Sequence, residues 1–210
     1  MSPHVLKECA LTLCTPLALI YQRSLDTAEL PEVWKLTNVT PLFKKGSRSA
    51  SSNYRPVSLT SIACKVLESI IRDDLTNHLT KNNLINRAQH GFTKNRSCTT
   101  NLLETVDTIS LALANKLEVD VLYTDFAKAF DKVCHKKLII KIKAYGINEQ
   151  TVNWIKSFLT GRKQRVVLGE YVSEWTEVVS GVPQGSVLAP ILFNLYINDL
   201  PDCLSNTCKL

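Results

Sequence analysis

The stretch Tyr123-Thr124-Asp125-Phe126-Ala127-Lys128-Ala129-Phe130-Asp131 decides how the rest of the chain is interpreted. The residues before it, Val119 to Leu122, are β-branched and apolar and predict a short buried strand, 119–125. Asp125 would then lie where a core strand ends, held rigidly and facing away from the packed interior. A carboxylate in that position can ligate a hard cation such as Mg²⁺, and it can also cap the helix that follows.

The composition is that of a globular protein. The 210 residues, 45% of them hydrophobic and 21% charged, suffice for one large domain or two small subdomains. Seven cysteines occur without a C-x-x-C pair, which favours reduced and mostly buried thiols over a zinc site or a disulfide framework. Neither a signal peptide nor an apolar run near the ~20 residues of a membrane span is found. The sequence therefore predicts an intracellular protein, nuclear or cytoplasmic, without a membrane partner.

Positive charge is concentrated in three blocks of the chain, whose net charge is +6. Six Lys or Arg lie between Val33 and Leu67 and four between Leu75 and Leu103, and neither block contains an acid. The third block, from Lys128 to Arg165, has ten Lys or Arg against two acids. Such blocks indicate a polyanionic partner, most often one that carries phosphate. For any single block, an ordinary solvated surface is the alternative.

Hydrophobic spacing predicts a mixture of helices and strands. The segment 5–25 predicts one or two buried helices with a break or kink at Pro16, and 188–199 predicts another buried helix. Gly146 and Gly161 are the predicted stops of two helices, and Ser97 or Thr99 is the predicted cap of a third. Further helices are predicted at 62–79, 102–113, 138–145 and 154–159, and strands at 37–43, 165–168 and 172–175, the last two as a hairpin.

Five ordered motifs resemble the reverse transcriptases of non-LTR (LINE-type) retrotransposons, and they cover nearly the whole chain. They are Trp34-Lys35 through Phe43-Lys44-Lys45-Gly46, Tyr54-Arg55-Pro56-Val57-Ser58-Leu59, Gln89-His90-Gly91-Phe92, Asp125 to Asp131, and Ser180-Gly181-Val182-Pro183-Gln184-Gly185-Ser186 through Asn198-Asp199. The resemblance implies RNA-templated DNA synthesis, with an RNA template, a DNA primer and dNTPs as partners. In this phosphoryl transfer two Mg²⁺ ions stabilise the attacking and leaving oxygens.

The resemblance also implies a fold class, an α/β (α+β) right-hand polymerase with helices packed on a small antiparallel sheet. Residues 1–118 would form a fingers-like region and 119–210 an incomplete palm with a fingers insertion, without thumb or endonuclease. The family's aromatic-Ala-Asp-Asp turn has no match, and Thr207-Cys208-Lys209-Leu210 is interpreted as the start of the strand leading into it. We therefore expect residues 1–210 alone to bind Mg²⁺ weakly at most and not to polymerise, and strand 119–125 to keep an unpaired edge. The alternative is a non-catalytic, nucleic-acid-binding remnant of a retrotransposon.

The resemblance assigns the catalytic and triphosphate-binding residues. Asp125 would be the catalytic metal ligand, with the backbone carbonyl of Phe126 as a further ligand. Lys44 and Arg55 would clamp the triphosphate, Arg through its fork and Lys as a point charge. Lys45 competes with Lys44 for this role, and spacing does not separate them.

Further residues receive roles in substrate selection and nucleic-acid binding. Phe130 would exclude a ribose 2′-hydroxyl by steric clash, whereas from the residues alone it reads as a core phenylalanine. Gln184 would touch the nucleotide and the template, and Asp131 would be a structural carboxylate that pairs with a nearby Lys. Gly181 and Gly185 would permit close backbone approach. The residues assigned to nucleic-acid binding are Lys45, Arg48, Lys94, Arg96, Gly181 and Gly185.

Overall fold

Groups of helices and groups of strands follow one another along the chain, and a computed structural model describes residues 2–203. The first part contains α1 (Pro3–Glu8), α2 (Ala10–Thr27), α3 (Glu32–Lys35), β1 (Leu36–Phe43), β2 (Tyr54–Leu59), α4 (Ile62–Lys81) and α5 (Cys98–Ala114). The second part contains α6 (His135–Ala144), α7 (Glu149–Leu159), β3 (Lys163–Leu168), β4 (Tyr171–Val172), β5 (Thr176–Glu177) and α8 (Ala189–Ile197). The predicted helices α4 to α8 and the strands β1, β3 and β4 are thereby confirmed, whereas β2 was not predicted.

The sheet is mixed, with strand order β2-β1-β3-β4 and with β5 paired to β3. β1 and β2 are antiparallel, and Phe43 lies opposite Tyr54. β1 and β3 are parallel, and Val39 lies opposite Val166. The prediction of a purely antiparallel sheet was therefore wrong. Because the chain travels through helices between β1 and β3, it returns in the same direction, as a parallel pair requires.

The core lies mainly among the helices α4, α6, α7 and α8, and Tyr21 of α2 and Trp34 of α3 also belong to it. Thr37 and Val39 are the buried positions of β1, and they alternate with more exposed residues as strand periodicity requires. α7 buries five residues, including Trp154 and Phe158, whose rings stack with centroids 5.6 Å apart. Since β1 and β3 lie on either side of residue 118, the two regions expected from the sequence share one sheet.

Helix boundaries follow capping residues that the sequence makes visible. Ser97 accepts a hydrogen bond from the backbone of Thr100, whose side chain bonds back to the Ser97 N–H, a reciprocal capping box that opens α5. Gly146 and Gly161 follow α6 and α7 with positive φ angles of 73° and 67°. A residue without Cβ adopts this conformation without strain, so glycine ends a helix readily.

Two predictions about helices and thiols were wrong in part. Pro16 lies inside α2, and the chain breaks instead at Cys9, which joins α1 to α2. The segment is also largely exposed, since α2 buries only Tyr21 and Ser24. Of the six cysteines among the described residues, Cys64 alone is buried. None of the described helices has the length and apolar character to cross a membrane.

The predicted strand 119–125 is exposed coil in the structure, and this prediction was wrong. Val121 and Leu122 are 47% and 87% exposed, so the segment is neither buried nor paired. A strand needs a neighbour for its backbone hydrogen bonds, and every pair in the described sheet joins other segments. The preceding helix, α5, likewise buries none of its residues.

Candidate nucleotide and nucleic-acid site

A loop between β5 and α8, residues Ser180–Ser186, runs along the turn that contains Phe130 and Asp131; we call it the Gln184 loop. The N–H of Gly181 donates to the Val133 carbonyl at 2.8 Å, and the N–H of Val182 donates to the Phe130 carbonyl at 2.9 Å. On the other side of the loop, Nε2 of His135 donates to the Gly181 carbonyl at 2.7 Å. Main-chain hydrogen bonds therefore join two of the five motifs.

Gly181 and Gly185 allow the loop to approach the protein's own backbone. A Cβ on Gly181 would lie 2.8 Å from the Asp131 carbonyl oxygen, and one on Gly185 would lie 2.7 Å from the Ser58 carbonyl oxygen. Their φ angles, 88° and 116°, are also unfavourable for a residue with a side chain. The backbone that they approach in the structure belongs to the segments that carry Asp131 and Ser58, and their role in nucleic-acid binding stays a prediction.

Gln184 is held at both its main chain and its side chain. The Ser58 N–H donates to its carbonyl oxygen at 2.7 Å, and its side-chain Nε2 donates to Oδ1 of Asp131 at 2.9 Å. The prediction that Asp131 pairs with a lysine was wrong, since Gln184 takes that place. Because a carboxylate only accepts, the amide nitrogen of Gln184 must face Asp131, which leaves the amide oxygen for another partner.

The loop forms one wall of a cavity of about 350 Å³. Lys128 and Arg162 contribute positive charge to its lining, and Asp131 and Glu177 contribute negative charge. Hydrogen-bonding side chains such as Ser58 and Gln184 complete the polar part of the surface. The cavity therefore offers charged groups of both signs and hydrogen-bonding side chains beside the apolar residues Val182 and Pro183 of the loop.

Phe130 lies half-buried in an aromatic cluster. Its ring stacks on Phe193 of α8, with centroids 4.8 Å apart and planes 14° from parallel. Phe92, from the Gln89-His90-Gly91-Phe92 motif, meets Phe130 edge-on at 6.2 Å. Gln89 and Gly91 of that motif hydrogen-bond to Asn194 of α8. The interpretation of Phe130 as a core residue thus describes its packing, while one part of the residue stays accessible.

The β1–β2 hairpin presents exposed cations. Arg55 lies opposite Leu42 in the strand pair, and the N–H of Lys44 donates to the Asn53 carbonyl at 2.9 Å, which extends the ladder by one step. Since side chains alternate between faces, this register puts Lys44 and Arg55 on one side of the hairpin, whereas Lys45 lies in the bend that follows. Neither Lys44 nor Arg55 lines the cavity beside Gln184.

The turn of this hairpin is ordered by local contacts. Asn53 donates from its side chain to the Ser47 carbonyl at 2.8 Å, and the Tyr54 hydroxyl donates to the Arg48 carbonyl at the same distance. The guanidinium of Arg48 lies 5.2 Å from the centre of the Phe43 ring. The positive charge of Arg48 therefore makes a cation–π contact within the turn itself.

Lys94 and Arg96 lie in the loop before α5, beside a second cavity of about 240 Å³. Lys94 is exposed, whereas Arg96 is half-buried and donates to the Arg87 and Gln89 carbonyls. These bonds hold the loop that leads into the Gln89-His90-Gly91-Phe92 motif. Arg96 thus has a structural use that its sequence position does not reveal.

Asp125 and Phe126 lie in exposed coil between α5 and the turn at Phe130. Within residues 2–203, no three His, Cys, Asp or Glu side chains come together in a group that could hold a metal ion. A Mg²⁺ site needs several oxygen ligands in octahedral geometry, so the described donors do not fit it. The expected strand start at 207–210 lies outside the described residues.

Glu68 is a residue that sequence reasoning missed. It is fully buried on α4 and accepts hydrogen bonds from the backbone directly after the Gln184 loop. The signal was present, because Glu68 falls at helical spacing among the apolar residues Cys64, Leu67, Ile71 and Leu75. A charged residue in an apolar stripe indicates a buried polar contact.

Comparisons with known proteins match the family that the five motifs resemble. The family model described as "Reverse transcriptase (RNA-dependent DNA polymerase)" matches residues 43–210. The probable RNA-directed DNA polymerase from transposon BS of Drosophila melanogaster is 32% identical over 192 residues, which cover 88% of this chain and 20% of that protein. The RNA-directed DNA polymerase from mobile element jockey of the same organism is 32% identical over 186 residues, with the same two coverages of 88% and 20%.

A more distant relative belongs to a different element. The retrovirus-related Pol polyprotein from type-1 retrotransposable element R2 of Popillia japonica is 28% identical over 188 residues, covering 89% of this chain and 26% of that protein. The chain thus spans about a fifth to a quarter of the length of these curated relatives.

Proposed function

Because the chain belongs to the reverse transcriptase (RNA-dependent DNA polymerase) family of non-LTR retrotransposons, we propose that it supplies the nucleotide- and template-binding part of such a polymerase. Residues 1–118 correspond to a fingers-like region in this proposal, and residues 119–210 to part of a palm. The reaction is the RNA-templated addition of dNTPs to the 3′ end of a DNA primer.

The observation that carries this proposal is the attachment of Gln184 to two other motifs. Its carbonyl oxygen accepts from Ser58, its amide nitrogen donates to Asp131, and both partners line the same cavity. A side chain fixed at both ends is preorganised for contact with a ligand, which lowers the entropic cost of binding. The free amide oxygen is the atom that would meet the nucleotide or the template strand.

Triphosphate binding is assigned to Lys44 and Arg55 in this proposal. The shared side of the hairpin favours Lys44 over Lys45 as the partner of Arg55. Guanidinium groups bind phosphate oxygens through two parallel hydrogen bonds, and an ammonium adds a point charge. These cations lie outside the Gln184 cavity, so a bound nucleotide would have to extend from the cavity to the hairpin.

Phe130 is proposed to select deoxynucleotides. Its stack on Phe193 fixes the ring plane, and a fixed ring excludes an added hydroxyl by clash rather than by weaker attraction. The neighbouring Asp131 and Gln184 would hold the nucleotide against that ring.

Reverse transcriptases generally use divalent metal ions, and Asp125 is the ligand proposed for this chain, with the Phe126 carbonyl beside it. The described donors do not make such a site by themselves, since Asp125 is exposed and lies outside any carboxylate cluster within residues 2–203. We therefore propose that residues 1–210 alone do not extend a primer.

Primer extension tests this directly. Purified residues 1–210 are mixed with an RNA template, an annealed DNA primer, dNTPs and Mg²⁺, and an Asp125→Ala variant serves as the matched control. We expect no extension from either protein. Extension by the unaltered chain that disappears in Asp125→Ala would show that the isolated chain is a complete polymerase.

A second candidate function is binding without catalysis. The exposed cations of the hairpin and of the loop with Lys94 favour it, since phosphate contacts need no metal. Sequence-independent affinity that falls steeply with rising salt is its expected behaviour, and a flat salt response would contradict it.

A further inference from the structure

Glu68 is a carboxylate placed where water does not reach it. Its exposure is 0%, and it lies on the buried side of α4 between Leu67 and Ile71. Removing a carboxylate from water is strongly unfavourable unless hydrogen bonds and opposite charge compensate. A buried glutamate therefore calls for a specific partner.

Its hydrogen bonds go to the segment that ends the Gln184 loop. Oε2 of Glu68 accepts from the N–H of Val187 at 2.7 Å and from the N–H of Leu188 at 3.2 Å. These two residues stand between Ser186 and the first residue of α8, Ala189. The other oxygen, Oε1, has no hydrogen-bond partner among the described residues.

Two further buried groups, Cys64 and Arg162, interact electrostatically with this carboxylate. Burial raises the pKa of Cys64, and the negative charge of Glu68 raises it further, so the thiol stays protonated. Burial lowers the pKa of Arg162, and the negative charge of Glu68 opposes that change. Arg162 also donates to Thr37 of β1 at 2.9 Å and lines the Gln184 cavity.

Main-chain hydrogen bonds thus hold the loop on both sides of Gly185. Ahead of Gly185, the Ser58 N–H donates to the carbonyl of Gln184 itself; after it, Glu68 takes the two N–H groups. Glycine adds no stiffness, so the bonds to Glu68 are the ones that limit the movement of the residues after Gly185. The Asp131 carboxylate accepts from the side chain of Gln184, and the Asp131 carbonyl accepts from the Ser180 hydroxyl at 3.0 Å, so both of these bonds lie ahead of Gly185.

We propose that Glu68 is a positioning residue for the polymerase reaction. Its carboxylate fixes the end of the Gln184 loop to α4, and it thereby holds Gln184 where the nucleotide binds. This inference rests on the proposed role of Gln184 and extends it to a residue that does not touch the ligand. Neutral Gln is an imperfect replacement for Glu68, because its NH₂ group brings a donor into a site that already contains the donors of Arg162 and Cys64.

Hydrogen–deuterium exchange tests the mechanical part on the full-length product of the reading frame that contains this chain. Glu68→Gln and Glu68→Leu are compared with Asp74→Asn, a matched change at an exposed position of α4. We expect amides in peptides covering 183–188 to exchange roughly tenfold faster or more in both Glu68 variants. Unchanged exchange there in Glu68→Gln would overturn the proposal, even if Glu68→Leu failed to fold.

A double-mutant cycle tests the functional part by single-nucleotide incorporation, with the active fraction titrated. In the full-length protein with Gln184 intact, Glu68→Gln should lower kcat/KM for the dNTP roughly 10- to 100-fold, because small misplacements of positioning groups have such effects. In a Gln184→Ala background the same change should alter kcat/KM within about twofold, since residues that act through one another are not additive. Asp74→Asn should have no effect in either background.

The outcomes separate two kinds of failure. An equal effect of Glu68→Gln in both backgrounds would mean that Glu68 acts on stability alone, and this overturns the inference. If Gln184→Ala itself leaves incorporation unchanged while exchange at 183–188 rises, the nucleotide contact of Gln184 is wrong, and with it the functional role of Glu68.

Discussion

Single residues in this chain are used in ways that sequence neighbours do not reveal. Asp131 was expected to pair with a nearby lysine, and it pairs instead with Gln184, which is 53 positions away. Glycines at 181 and 185 were recognised as special, but the backbone that each one approaches depends on the tertiary structure. Local sequence indicates that a residue is unusual, and packing decides its partner.

Gly185→Ala should destabilise the protein more than Gly169→Ala. The new methyl at 185 would meet the Ser58 carbonyl at 2.7 Å and would force a φ of 116°, whereas nothing lies within 4 Å of a Cβ at 169. The expected loss of unfolding free energy is about 2 kcal/mol at 185 and about 1 kcal/mol at 169. Urea denaturation of the two variants measures both, and equal losses would contradict the close contact at Ser58.

Asp131→Ala should weaken nucleotide use, if Gln184 contacts the nucleotide as proposed. Loss of a hydrogen bond to a charged group is worth about 1.5–3 kcal/mol, so kcat/KM for the dNTP should fall roughly 10- to 100-fold. The measurement is single-nucleotide incorporation by the full-length protein. Asp107→Ala, at an exposed position of α5, is the control and should leave kcat/KM unchanged.

At the scale of secondary-structure elements, those marked by regular hydrophobic spacing and by capping residues were predictable. α4 and α6 form where apolar residues recur at helical spacing. Ser97 caps the beginning of α5, and Gly146, with its positive φ, ends α6. The segment 119–125 was not predictable in the same way, because a β-branched run becomes a strand only when a neighbour accepts its hydrogen bonds. β2 was missed since its Tyr54-Arg55-Pro56 opening is polar and contains proline.

The contact between α6 and the end of α8 should respond to acid. Lys141 donates a hydrogen bond to Asp199, and this lowers the pKa of Asp199. A carboxylate whose folded-state pKa is lowered stabilises the fold above its ordinary pKa of about 3.9, and that stabilisation is lost as the pH falls through the lowered value.

The matching measurement compares the unaltered chain with Asp199→Asn in urea from neutral pH to acid. The side chain of Asp199 is 54% exposed, so the difference in unfolding free energy above about pH 5 should stay below about 1 kcal/mol. It should shrink towards zero as Asp199 becomes protonated. Asp74→Asn, at an exposed site of α4, should show no such trend.

At the scale of the whole molecule, the edge of the sheet brings positively charged side chains together. β2 is the outermost strand, and its hairpin with β1 presents Lys44 and Arg55 together. The basic blocks were visible in the sequence, but the shared side of these two cations required the strand register. Among the residues that the sequence singled out, Gly181 and Gln184 line one cavity and Lys44 and Arg55 do not, and this arrangement was not predictable from the sequence.

Removing these cations should change the salt dependence of nucleic-acid binding. Each phosphate contact adds about 0.9 to the slope of log affinity against log salt for duplex DNA and about 0.7 for single strands. Lys44→Ala with Arg55→Ala should thus reduce the slope by roughly 1.4–1.8, measured by fluorescence anisotropy with a labelled oligonucleotide. Lys7→Ala, on exposed α1, should leave the slope unchanged.

The parallel pair of β1 and β3 has a consequence for the order of events during synthesis. Asn38 and Arg165, which face each other in the sheet, are 127 positions apart. At 5–20 residues per second, the ribosome needs on the order of ten seconds to make the intervening chain. During that interval β1 can already form its hairpin with β2, while its other edge waits for a strand that does not yet exist. In the nascent protein this edge of β1 is therefore unpaired and can pair with a wrong strand. Faster elongation through α4 to α7 should raise the yield of folded protein.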